Sequence, residues 1–120
     1  MSCSNQASRY DLLINQGADF LQIFTWKGSD GVPINLSGYT ARMMIKNSPE
    51  DDTALVTLTT ENGRIALGGA LGTITLSLNS TVTAALDFTK ALYDLELVSG
   101  GGFVTRLIGG AVTLSPEITK

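Results

Sequence analysis

The chain has 120 residues, room for one domain, and a domain of this length buries roughly two thirds of its unfolded surface without help from metal or disulfide. Its residues are 43% apolar and only 16% charged. That excludes intrinsic disorder and leaves a surface of Thr, Ser, Asn and Gly, which suits a protein covered by neighbours and equally a soluble β-domain with a Thr-rich exterior. The net charge is −3 and the bases (Arg9, Lys27, Arg42, Lys46, Arg64, Lys90, Arg106 and Lys120) stand singly, so no basic stripe exists to neutralise phosphates and no nucleic-acid partner is expected.

Residues 1–9 are polar, without the apolar stretch of an export signal, and read as a flexible N-terminal arm before a single domain over 10–120. Cys3, the one cysteine, allows no intrachain disulfide and fits synthesis in a reducing cytoplasm. No segment approaches the ~20 apolar residues of a membrane helix, so membrane insertion is not expected. Residues 10–15 and 18–27 carry the branched and aromatic side chains of strands, punctuated by Gln16-Gly17. Period-two spacing in the second segment puts Phe20, Phe24 and Trp26 on one face and Leu21, Ile23 and Thr25 on the other.

Ser29-Asp30-Gly31 signals a turn, and Pro33 makes 32–36 an irregular or edge strand because it cannot donate to a ladder. Over 39–46, Ala41, Met43 and Ile45 point inward and Arg42, Met44 and Lys46 outward. Residues 47–53 form an acidic loop; its consecutive carboxylates lack the alternate spacing of a calcium loop, so it reads as solvated. Asn62-Gly63 between 55–60 and 64–67 is the strongest local hairpin signal in the chain, with Val56, Leu58, Ile65 and Leu67 toward the core. After Gly68-Gly69-Ala70-Leu71-Gly72, residues 73–78 alternate most strictly, with Ile74, Leu76 and Leu78 inward. A helical turn is predicted over 81–86 with Ser80 as its N-cap. Residues 91–98 resume the strand pattern with Tyr93, Leu95 and Leu97 inward. After the turn at Ser99-Gly100-Gly101-Gly102, 103–108 and 111–114 complete the ladder, with a bulge at Gly109-Gly110. About eight short strands and one brief helix predict an all-β fold, an immunoglobulin-like antiparallel sandwich, with a small β-barrel as the alternative.

Chemistry is sparse. Histidine is absent and the thiol sits in the polar arm, so the nucleophile and base combinations of most hydrolases and the usual zinc sites are missing. The carboxylate pairs that remain are Asp94 with Glu96, on the strand face opposite Tyr93, Leu95 and Leu97, and Asp19 with Asp30; such exposed strand carboxylates read as solubilising or interface groups. The glycine-rich stretches at 68–72 and 100–102 lack the Lys-Ser or Lys-Thr and long helix of a phosphate-binding loop. The expectation is a protein that is not an enzyme, with no cofactor and no metal. Trp26 and Tyr93 could stack on sugar rings, but their inward phase places them in the core. Leu21, Ile23 and Met44 fall on faces opposite the core and are the candidate partner contacts.

The order of these pieces resembles a family of small bacteriophage structural proteins from tail, baseplate and fibre-attachment regions. The matching features are Gln16-Gly17-Ala18-Asp19-Phe20, Phe24-Thr25-Trp26, Asp30-Gly31-Val32-Pro33, Leu36-Ser37-Gly38-Tyr39-Thr40-Ala41-Arg42-Met43, Asn62-Gly63-Arg64-Ile65, Gly72-Thr73-Ile74-Thr75-Leu76, Tyr93-Asp94-Leu95-Glu96-Leu97 and Val104-Thr105-Arg106-Leu107. Over residues 10–119 it is similar to the N-terminal β-sandwich of phage upper-baseplate proteins. The resemblance implies a virion component made in the host cytoplasm, present in multiple symmetric copies, with other virion proteins as partners and no catalytic residue. Baseplate adaptors continue into a helical or receptor-binding region, whereas this chain stops at Lys120, which leaves a capsid decoration (cement) or collar role open. A carbohydrate-binding module for host attachment is the alternative from another class.

Overall fold

Alternation of wet and dry side chains makes strands of nearly every segment between turns. The computed structural model describes residues 8–119. Within them the elements are β1 (Ser8–Arg9), β2 (Leu12–Asn15), β3 (Phe20–Thr25), β4 (Thr40–Lys46), β5 (Val56–Thr59), β6 (Ile65–Leu67), a 3-10 turn (Gly69–Leu71), β7 (Thr73–Leu78), α1 (Ser80–Ala84), β8 (Lys90–Val98) and β9 (Val104–Ser115). One sheet has six strands in the order β1-β9-β8-β4-β5, with β2 also on β9; the other has three, in the order β3-β7-β6. In the lettering of immunoglobulin domains, β9, β8, β4 and β5 stand as G, F, C and C′, and β3, β7 and β6 as B, E and D. The fold is thus an immunoglobulin-like sandwich, and because each sheet ends in edge strands no barrel closes.

The inner faces supply the core. Ile14, Met43, Ile45, Leu58, Leu95, Leu97 and Val112 from the larger sheet meet Ile74 and Leu76 from the smaller, each under 2% exposed. Burying a side chain of this size contributes about 1.5–3 kcal/mol. Thr83 of α1 is the one buried polar residue among the described residues. Its hydroxyl donates to Ala18 O at 2.8 Å and accepts from Gly17 N at 3.1 Å, tying the helix to the β2–β3 turn. Gln16 completes that tie by donating to Leu86 O at 2.7 Å and accepting from Glu117 N at 2.9 Å.

Several local expectations change. Asn62-Gly63 does not close a hairpin: β5 pairs with β4 in one sheet and β6 with β7 in the other, so this turn carries the chain between layers. The Asn62 side chain builds the turn, with Oδ1 accepting from Thr59 N and Arg64 N, both at 3.0 Å, and Nδ2 donating to Thr57 O at 3.0 Å. Residues 32–36 form no strand; Pro33 makes a single bridge to Lys27. The cap of α1 is Asn79, whose side chain accepts from Val82 N, and the helix begins at Ser80. The bulge lies earlier than Gly109-Gly110, because Leu95 faces Ile108 while Glu96 faces Arg106. Leu107 is the extra residue, and both Leu107 and Ile108 are buried as a result.

The largest departure is at the N-terminus. Residues 1–7 of the expected arm lie outside the described residues, but Ser8 and Arg9 pair parallel to Ile108 and Gly109. β2 continues in the same register on Val112–Ser115, so the otherwise antiparallel sandwich gains a parallel edge. Between the two, Tyr10 N donates to Gly109 O at 3.0 Å and Asp11 Oδ1 accepts from Ala111 N at 2.9 Å.

Candidate interaction surfaces

Strand phase decides what each sheet offers to its surroundings. On the smaller sheet, β3 turns Leu21, Ile23 and Thr25 outward, and the register sets them beside Ser77, Thr75 and Thr73 of β7, with Ala66 of β6 next to Thr75. None of these residues is charged. Leu21 is 65% and Ile23 54% exposed, large aliphatic side chains held open by a regular strand rather than by a loop. Arg64, at the corner of this face, turns its guanidinium away and donates to Thr57 O of the other sheet at 3.0 Å.

The larger sheet presents a different exterior. Arg42 Nε donates to Glu96 Oε1 at 2.7 Å, Arg106 lies 3.5 Å from Asp94, and Arg9 lies 3.1 Å from Asp11. All three pairs are exposed enough to contribute little, about 0–1 kcal/mol each. Gly109 opposes Asp94 with no side chain, and both line a depression of ≈ 640 Å³ whose walls include Arg9, Lys46, Met44 and Leu92. Met44, 45% exposed, stands here. The three expected contact residues therefore do not form one surface: Leu21 and Ile23 share the uncharged face, while Met44 lies on the opposite, ion-paired face. Period-two spacing separates outward from inward but does not say to which sheet a strand belongs.

Each of the four carboxylates in the candidate pairs has a partner. Asp94 and Glu96 each meet an arginine, Asp19 accepts from Ser80 N at 2.7 Å, and Asp30 accepts from Val32 N at 3.0 Å. Among the described residues no three His, Cys, Asp or Glu side chains converge as a metal site, and no helix is long and apolar enough to cross a membrane. Cys3 lies outside the described residues. Trp26 is half-buried against the core, edge-on to Tyr39 with ring centroids 6.2 Å apart. Tyr93 is buried and donates its hydroxyl to Tyr10 O. Neither ring is displayed as a stacking platform; the exposed aromatics are Phe103, at the β8–β9 turn, and Tyr10, which packs edge-on against Phe24.

Sequence reasoning missed Leu13 and Leu92, both exposed on the larger sheet. Leu92 had a signal, being out of phase with Tyr93, Leu95 and Leu97. Leu13 sits in the unbroken apolar run Leu12-Leu13-Ile14, which hides its phase. Neither the protein-family models nor the curated proteins give a match to this chain.

Proposed function

We propose that the chain is a non-enzymatic structural component of a bacteriophage virion, of tail, baseplate or fibre-attachment kind, that acts by packing against other virion proteins in multiple copies. The observation that carries the assembly role is the uncharged outer face of β3, β7 and β6 with Leu21 and Ile23 open upon it. Large aliphatic side chains on a rigid, charge-free sheet face gain most when a partner removes them from water. The virion assignment rests on the ordered series of turn and strand motifs from Gln16-Gly17 to Val104-Thr105-Arg106-Leu107.

The test is to raise antibodies against the purified chain and image gradient-purified particles from the producing host by immunogold electron microscopy. Labelling at the tail, baseplate or fibre-attachment region is the expected result; labelling over the capsid or collar would instead support cement or collar protein, and unlabelled particles would refute the virion role. Ile23→Asp should leave the isolated fold intact, costing no more than about 1 kcal/mol at an exposed strand position, while the variant fails to enter particles in a complementation assay. An unfolded Ile23→Asp protein would show instead that the side chain belongs to the core.

A further inference from the structure

Every sheet edge carries unpaired backbone groups, and natural sheets blunt them with charges, prolines, bulges or side-chain caps. Three of the edges here are blunted. On β5, Thr57 O receives Asn62 Nδ2 and Arg64 Nη1, and Thr59 N is bound by Asn62 Oδ1, all at 3.0 Å. β6 has only three residues. The β1 and β2 edge is interrupted at Tyr10 and Asp11 and flanked by the Arg9–Asp11 pair. Among the described residues β3 is the least protected: it runs for six residues without proline, charge or bulge, and carries a single weak side-chain contact.

The ladder fixes which of its backbone groups face outward. Ser77 N donates to Arg64 O and Gly68 N to Thr73 O, both at 2.9 Å, so Ser77 and Thr73 direct their groups toward β6. Their partners across the sheet, Leu21 and Thr25, and Ile23 between them, therefore direct N–H and C=O away from β7. Trp26 N, which donates to Gly72 O at 2.8 Å, marks the opposite phase. Ile23 O accepts Gln22 Nε2 at 3.3 Å, a long contact that a ladder bond would displace.

We propose that β3 pairs edge to edge with β3 of a second copy of this chain, antiparallel about a two-fold axis at Ile23, so that two three-stranded sheets become one continuous sheet. The outward groups fall at 21, 23 and 25, symmetric about Ile23, so Leu21 meets the second copy's Thr25 and Ile23 meets itself, each pair able to exchange two backbone hydrogen bonds. In the same register Asp19 falls opposite the second copy's Lys27, so unlike charges face each other at both ends and none meets in the middle. This pairing uses the edge beside the Leu21 and Ile23 face and leaves the face itself, doubled in width, open to other proteins; it goes beyond the proposed assembly role and does not require virion membership.

Sedimentation equilibrium of the 120-residue chain at concentrations up to about 1 mM tests it. The wild type should dimerise, Ile23→Pro, which removes the axial N–H, should weaken association at least about tenfold, and Thr75→Lys, on the same face one strand in from the edge, should leave it unchanged. Should Ile23→Pro fail to fold, cysteine cross-linking in a Cys3→Ser background decides. Ile23→Cys should form a disulfide dimer, since hydrogen-bonded partners lie ≈ 5.5 Å apart at Cα, within disulfide range. Leu21→Cys should not, because its copies would lie roughly 14 Å apart. A wild type that stays monomeric, a dimer lost in Thr75→Lys but kept in Ile23→Pro, or equal cross-linking at both positions overturns the pairing. A monomer that enters particles would sink this inference alone, whereas a dimer absent from particles would sink only the virion assignment.

Discussion

Tyr93 reaches from β8 across the layer of β9 to the backbone of the N-terminal segment, where its hydroxyl donates to Tyr10 O. Gly110, its partner in the ladder, makes that approach possible: a Cβ there would lie 2.6 Å from Tyr10 O and 2.7 Å from Asp11 Oδ1. Burial first, then the Asp11 carboxylate and Tyr10, push the Tyr93 phenol well above its ordinary value. A raised phenol stays neutral in the folded state while the unfolded one ionises near pH 10. Its contribution is therefore complete below about pH 10 and lost as pH rises from there toward the folded value. Urea unfolding at pH 7 and pH 11 should show wild-type stability falling at the higher pH. Tyr93→Phe should cost about 1 kcal/mol at pH 7, the net value of one hydrogen bond, and should flatten the alkaline fall. An equal fall in both proteins would mean that another group governs it.

At the level of elements, the strands with one wet and one dry face were the legible part of the molecule. Ala41, Met43 and Ile45, then Ile74, Leu76 and Leu78, then Tyr93, Leu95 and Leu97 are all buried as their phase predicts. What phase cannot convey is partnership. Asn62-Gly63 signals a reversal, but whether the next strand joins the same layer depends on where β7 stands, which no local residue encodes. The exterior was legible to the same extent: Leu21, Ile23 and Met44 are outward as expected, yet their division between two faces follows from topology alone. The bulge shows how one extra residue overrides alternation, because Leu107 and Ile108 both reach the core. Leu107→Ala should accordingly cost roughly 2–5 kcal/mol, as expected when a buried leucine is truncated. Leu92→Ala, on the exposed face of β8, should stay within about 1 kcal/mol. Chemical denaturation of the two variants checks this, and similar losses would place Leu107 outside the core.

For the molecule as a whole, the decisive feature is that its first two strands pair with its last. Residues 8–15 lie along 108–115 in parallel register, a pairing at |i−j|=100 for Asp11 and Ala111 that leaves no trace in local sequence. Its weight is unevenly distributed along the N-terminal segment. β1 contributes two exposed residues, whereas β2 inserts Leu12 and Ile14, 4% and 0% exposed, into the core. Deleting residues 1–9 should therefore lower stability only slightly, by about 1–2 kcal/mol for a pair of edge rungs. Deleting residues 1–15 also removes two core side chains, each worth roughly 2–5 kcal/mol when truncated, against a total of only about 5–15 kcal/mol for a domain of this kind. The longer deletion should thus lose the cooperative thermal transition at 37 °C or below, while the shorter keeps it. Circular dichroism melts of the two truncations distinguish these outcomes; a longer deletion that still melts like the full chain would mean that the parallel edge is dispensable and that β3 to β9 suffice for the sandwich.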